Sequence, residues 1–324
     1  MQFDRGAVHA ALGHLRLTPL RNVLRRFGIA IAFLLLMGTL AVLSPPFATA
    51  SNLFNIARQV SINAILAAGM TFVILTAGID LSVGSVLAYS GAIMAGVLVS
   101  NLPLFVGIGA GLALGALLGL LNGVIITRGK VQPFIATLAM LTMARGATLV
   151  YTDGRPITGL PDAFVWLGEG DLGWIPVPVV IMGVVFVVGH LILTQTVLGR
   201  YVYAIGGNEE AARLSGVNVA AYKTLVYGIS GLLAAVSAII LTARLNSAQP
   251  TAGSGYELDA IAAVVLGGTT LAGGEGSVGG TLLGAFIIGV INNGLNLLNV
   301  SAFYQQVVKG AVILLAVLLD RRLR

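Results

Sequence analysis

The chain has 324 residues, 57% of them hydrophobic, with 18 basic and 12 acidic side chains, 43 glycines and no cysteine. A soluble domain needs about a quarter of its residues charged; the 9% here excludes that class, and the missing cysteine excludes disulfides, thiolate metal sites and a cysteine nucleophile. Charge-free runs at 27–57, 81–127, 224–243 and 276–308 each reach the roughly 20 apolar residues of a helical bilayer crossing. They lack the alternation of barrel strands, so the expected fold is an all-α polytopic membrane protein.

In chain order, a basic segment comes first, 1–26, with Arg5, Arg16, Arg21, Arg25 and Arg26. The apolar run behind it ends near Ala48-Thr49-Ala50 and imitates a secretory signal. It is too long for a signal core and the cleavage point would fall too late, so a retained signal-anchor is expected. Spans are predicted at 27–43, 57–78, 82–100, 103–126, 131–151, 177–195, 223–243, 258–272, 278–298 and 302–319, about ten in all by length. Together they make one transmembrane domain, 27–320, with a loop at 196–222 and a tail at 321–324. The eighth span is short and glycine-rich, which fits a half-span or re-entrant piece.

Basic residues set the orientation. With the N-terminus inside, Arg128, Lys130, Arg200, Arg213, Lys223, Arg321, Arg322 and Arg324 join the N-terminal arginines on the cytoplasmic side. Both termini are then expected in the cytoplasm. The loop 152–176 falls outside and is acidic, with Asp153, Asp162, Glu169 and Asp171.

The loop 196–222 contains GGNEEAARLSGVN, residues 206–218. Gly206 and Gly207 break the preceding structure. Asn208 is a good N-cap, and Glu209 and Glu210 suit the positive end of a helix dipole. Ala211, Ala212, Arg213 and Leu214 are strong helix formers, and Gly216 suits the left-handed residue that ends a helix. A helix of about two turns over 208–216 is predicted. So short a helix is marginal alone. It is either an ordinary solvated loop helix or one that buries its small apolar face in a partner.

The pattern G-x-N-x-x-A-A-x-x-x-G, on Gly206, Asn208, Ala211, Ala212 and Gly216, resembles the coupling helix of ABC importer permeases. The stretches 52–65, 71–88, 198–218, 245–281 and 292–320 resemble the sugar branch of that family, and its ribose-type members above all. The resemblance covers the chain from about residue 28 onward, except the outer loop 152–176. It implies a bacterial inner-membrane permease subunit working as two copies. It also implies a cytoplasmic ATP-binding subunit that grips residues 206–218 and a periplasmic sugar-binding protein that delivers substrate. ATP and Mg would sit on the ATPase, with no cofactor, nucleic acid or metal in this chain.

Polar groups at membrane depth default to functional candidates. Asp80, Ser82 and Ser85 lie in GIDLSVGS, and Glu275 lies in GGEGSVGG. The two stretches match at one offset (Gly78 with Gly273, Asp80 with Glu275, Ser82 with Ser277, Val83 with Val278, Gly84 with Gly279), which suggests an internal repeat. Each acid can cap the following helix, line the solute path or relay protons; a place near the cytoplasmic ends of spans favours the first. Gln249, Thr251, Ser254 and Tyr256 offer neutral groups suited to sugar hydroxyls, in a broken segment expected to line part of a pore; Tyr256 equally suits an interfacial anchor. Glu257 and Asp259 are candidates for meeting a partner's positive patch. Asn292 and Asn296 share a helix face and are expected to bond between helices. Arg145 and Lys309 fall within spans, without partners legible in the sequence.

The chain has no G-x-x-x-x-G-K-[ST] phosphate loop, only three histidines and no nucleophile elbow. It is not expected to be an enzyme. The competing expectation is an ion-coupled secondary transporter, whose loop helix would have no partner.

Overall fold

The computed structural model describes residues 28–323. The predicted basic segment 1–26 lies outside the described residues. Each predicted span overlaps a helix: α1 (Gly28–Leu43), α2 (Ala50–Leu75), α3 (Val83–Val99), α4 (Leu104–Thr127), α5 (Pro133–Thr152), α7 (Val177–Gln195), α10 (Val219–Arg244), α11 (Tyr256–Leu266), α12 (Val278–Leu297) and α13 (Ala302–Leu323). Three further α-helices lie in loops: α6 (Asp162–Glu169), α8 (Val197–Gly207) and α9 (Glu209–Leu214). Among the described residues 6 helices (α2, α4, α5, α7, α10 and α12) are long and apolar enough to cross a membrane, while α1 and α3 are apolar but shorter.

The predicted eighth span, 258–272, needs correction. Its helix, α11, has 11 residues, about 16 Å at 1.5 Å per residue, or half the ~30 Å of a bilayer core. Gly268 enters the left-handed region at φ 84, and the amides of Gly268 and Thr269 turn back onto Val265 and Val264. That closure ends the helix. The chain then runs without helix to Ser277, whose side chain accepts from Gly280 N and starts α12.

Two enclosed helices, α2 and α10, form the centre. Helix α2 packs on α10, α12, α11 and α7, and α10 packs on α4 and α3. Close approach to α4 comes from glycines at every fourth position, Gly107, Gly111, Gly115, Gly119 and Gly123, all buried. A Cβ on Gly123 would meet the Thr224 backbone at 2.5 Å, and one on Gly115 the Gly231 carbonyl at 2.5 Å. In lipid, where apolar burial gives helices no preference for each other, such small-residue contact is what drives pairing.

The connections sort onto two faces. On one, strand β1 (Ile157–Thr158) pairs antiparallel with β4 (Ser247–Ala248). Strands β2 (Asp171–Leu172) and β3 (Ile175–Pro176) form a hairpin tied to α2 by Arg58–Asp171 at 2.6 Å. On the other face, Gly274 N donates to Leu75 O at 3.0 Å and Tyr203 Oη to Gly276 O at 2.8 Å. The ends of α2, α8 and the loop 267–277 therefore meet there.

Candidate functional site

The loop 196–222 is more ordered than its sequence suggests. Helix α8, which the sequence reading missed, starts at Thr196, whose hydroxyl accepts from Gly199 N. Its buried residues Val202 and Ile205, with Leu198 packed on the core, follow a helical spacing of four and three. That periodicity was available in the sequence. Gly206 is forced by packing: an added Cβ would overlap the Leu75 carbonyl and the Gly274 amide, both backbone.

Helix α9 follows after one residue. Asn208 Oδ1 accepts from Ala211 N at 2.9 Å, as an N-cap does. At the other end Gly216 has φ 85. Gly216 N reaches Arg213 O at 3.0 Å and Val217 N reaches Ala212 O at 3.1 Å, the paired closure of a left-handed C-terminus. Glu210 pairs with Arg213 on the exposed side. Glu210 raises the Arg213 pKa by hydrogen bonding and charge.

The two alanines of α9 face opposite ways. Ala212 is buried in a small cluster with Ile205 and Val219, so it anchors α9 to its own protein. Ala211 points outward with Glu209, Glu210 and Arg213, and Leu214 is 80% exposed. The outward surface is thus one leucine and one alanine ringed by charge. On the inward side Lys223, at the base of α10, donates to Glu209 at 2.9 Å.

Asp80 lies in the loop between α2 and α3 and is 1% exposed. Oδ1 accepts from Ser82 N at 3.0 Å and Ser82 Oγ at 2.6 Å, and Oδ2 from Ser230 Oγ at 2.8 Å. Asn122 Nδ2 donates to Ser82 Oγ at 2.9 Å. Just before it, Ile79 O accepts from Tyr227 Oη at 3.2 Å and Thr137 Oγ at 3.4 Å. Ser230 is about 16 Å along α10 from Val219, so Asp80 sits within the bundle and not at its rim. The loop turns back inward after α2, through Ala77 at φ 57. Ser85 is buried one turn into α3.

Glu275 differs from Asp80 despite the matching sequence: it is exposed, in the turn beside α8. Its carbonyl accepts from Thr270 N at 3.0 Å. The remaining pathway candidates lie in the broken segment before α11. Gln249 Nε2 donates to Ser247 Oγ at 3.0 Å, Thr251 is exposed, and Tyr256 is half-buried against the core. Arg145 holds this segment by donating to the carbonyls of Pro250 and Ala252 at 2.6 and 2.8 Å. The segment also abuts α3, because a Cβ on Gly84 would overlap Gly253 O and meet Glu257 Oε2 at 2.7 Å. The structure therefore sets Gly84 of α3 against Gly253 and Glu257, while Glu275 lies beside α8.

Asp259 cannot meet a partner's positive patch. It is 4% exposed and accepts from Lys309 on α13 at 2.8 Å. The asparagine reading shifts by one residue. Asn293 and Asn52 exchange reciprocal amide bonds at 2.9 and 3.0 Å, and Asn296 accepts from Gln305 at 2.8 Å. Asn292 Oδ1 is buried with no partner among the described residues. Sequence reasoning passed over Ser230, Tyr227, Asn122 and Thr137, because single small polar residues inside apolar runs carry no motif.

A bundle of membrane-length helices, with a capped, outward-facing helix in one loop, has the architecture of a membrane transport permease. The family described as "Branched-chain amino acid transport system / permease component" matches residues 52–317, and the chain belongs to that family. It is 57% identical over 296 residues to the ribose import permease protein RbsC of Escherichia coli (strain K12), covering 90% of this chain and 92% of that one. It is 55% identical over 303 residues to RbsC of Bacillus subtilis (strain 168), covering 93% and 94%. It is 39% identical over 296 residues to the L-arabinose transport system permease protein AraH of Escherichia coli (strain K12), covering 91% and 90%. No solved structure matches the chain.

Proposed function

We propose that this chain is the transmembrane subunit of an ATP-driven ABC importer that moves ribose from periplasm to cytoplasm across a bacterial inner membrane. The outward face of α9, with Leu214 80% exposed, carries the proposal: a two-sided cap and an inward anchor hold a small apolar spot clear of the protein. It serves as the surface for a cytoplasmic ATP-hydrolysing subunit. Two copies form the pathway, about ten segments in each, with α11 as a half-span and both termini cytoplasmic. A periplasmic sugar-binding protein delivers ribose to the opposite face, near the segment that Arg145 holds. Ribose is favoured over other sugars because the ribose permeases are 55–57% identical and the arabinose permease 39%.

The experiment is uptake of labelled ribose into proteoliposomes holding this chain, its ATPase and its binding protein, with and without ATP and with an ionophore. ATP-dependent, ionophore-insensitive uptake is expected. The second reading, an ion-coupled carrier, is favoured by one observation. Asp80 is buried and has no basic partner within ion-pair distance among the described residues. Uptake by this chain alone that collapses with the ionophore would establish that reading instead.

A further inference from the structure

Three buried polar residues of α10 share one face. Lys223, Tyr227 and Ser230 are spaced four and three residues apart, so they line up along a helix. All three are buried. Lys223 holds Glu209 of α9 at 2.9 Å, Tyr227 holds Ile79 O at 3.2 Å, and Ser230 holds Asp80 Oδ2 at 2.8 Å. The loop they grip also bonds α4 through Ser82 and Asn122, and α5 through Thr137. The end of α2, which leads into that loop, is held from below: Gly206 packs on Leu75 O, and Gly274 N bonds that oxygen at 3.0 Å.

We infer that Lys223 is a positioning residue for coupling, the first link of a polar line that carries displacement of α9 through the α10 face to the buried Asp80 loop. Three features support this line over diffuse transmission. The ion pair is lopsided, with the Lys223 side chain 11% exposed and Glu209 56%. Its lysine end is therefore fixed in the bundle while its glutamate end moves with α9. Helix α10 is unbroken from Val219 to Arg244 and its Gly228 is buried against Leu120 of α4, so movement at its base is carried to Tyr227 and Ser230. Finally, the Asp80 loop ties α10, α4 and α5 at one point, so a shift there alters the packing of several helices together. Tight polar networks of this kind have discrete arrangements, as a switching element requires.

This inference rests on the reading of α9 as the ATPase-docking helix, and the test separates the two. The complete importer is reconstituted with the variants Lys223→Met, Ser230→Ala, their double, Lys223→Arg and Leu214→Asp. Ribose moved per ATP hydrolysed is measured beside retention of the ATPase on immobilised permease. Lys223→Met and Ser230→Ala are each expected to lower the ratio roughly tenfold, within the range of site-to-site coupling, while retaining the ATPase. The double should be no lower than the lower single, because the links act in series, and Lys223→Arg should recover most of the loss. An unchanged ratio in Lys223→Met, or losses that multiply in the double, would overturn the line. If Lys223→Met is not monodisperse, Glu209→Gln and Tyr227→Phe cut the same line with the same expected loss and the same overturning result. If Leu214→Asp leaves uptake and retention unchanged, the docking reading fails. If Leu214→Asp abolishes both while Lys223→Met couples normally, only the polar line fails.

Discussion

Gly206 and Gly207 are adjacent in sequence, and both lie in α8, yet alanine should act oppositely at the two. At Gly207 a Cβ meets nothing within 4 Å. Replacing glycine by alanine in a helix then gains about 0.5–1 kcal/mol of backbone entropy, discounted at a helix end. At Gly206 the same Cβ overlaps the Leu75 carbonyl and the Gly274 amide. Neither is a side chain that can swing away. Overpacking against backbone costs about 1–3 kcal/mol, and displacing the Gly274–Leu75 hydrogen bond adds about 1 kcal/mol. After the helix gain of about 1 kcal/mol, Gly206→Ala should destabilise by roughly 1–3 kcal/mol, whereas Gly207→Ala should be neutral or slightly stabilising. Thermal unfolding of the purified proteins in detergent reads the difference as several degrees, at roughly 2 °C per kcal/mol for a chain of this size. Gly206→Ala should also slow ribose uptake, because it wedges α8 away from the end of α2. If Gly206→Ala melts at or above the wild-type temperature, the packing of α8 against α2 and the loop 267–277 is wrong.

The two sides of α9 should separate stability from coupling. Leu214→Asp should leave the stability within about 0.5 kcal/mol of wild type, as surface changes do, while abolishing ATP-driven uptake. Ala212→Trp should destabilise by about 1–3 kcal/mol, because it overfills the pocket formed with Ile205 and Val219. Ser230→Ala removes a donor from a buried carboxylate and should cost about 1–3 kcal/mol, measurable in the same melting assay. Lys309→Met strands Asp259 in a buried site. It should cost roughly 1–3 kcal/mol, and the added change Asp259→Asn should recover much of that, since a neutral amide tolerates burial better than an unpaired charge. Melting of the single and double variants tests it, and an additive result would refute the pairing.

Much of this protein was legible in its sequence because a bilayer imposes a simple rule. Backbone groups in lipid must bond within their own helix, so each predicted span overlaps a helix, from Gly28–Leu43 to Ala302–Leu323, although the helix of the eighth, 258–272, ends at Leu266. The caps of α9 were legible for a related reason: Asn208 and Gly216 satisfy free backbone groups locally, within a few residues. What only the tertiary structure decided were the facts that depend on distant neighbours. Which side of α9 turns inward depends on Ile205 and Val219, and it placed Ala212 inside and Leu214 outside. The likeness of Asp80 to Glu275 did not survive folding, because one loop turns back among α10, α4 and α5 while the other stays at the surface. Asp259 was claimed by Lys309, 50 residues away. A residue's backbone partners lie a turn away and can be read along the chain. Side-chain partners in a helical bundle are chosen by how helices pack, and that choice is made jointly by glycine stripes and volumes spread over the whole sequence.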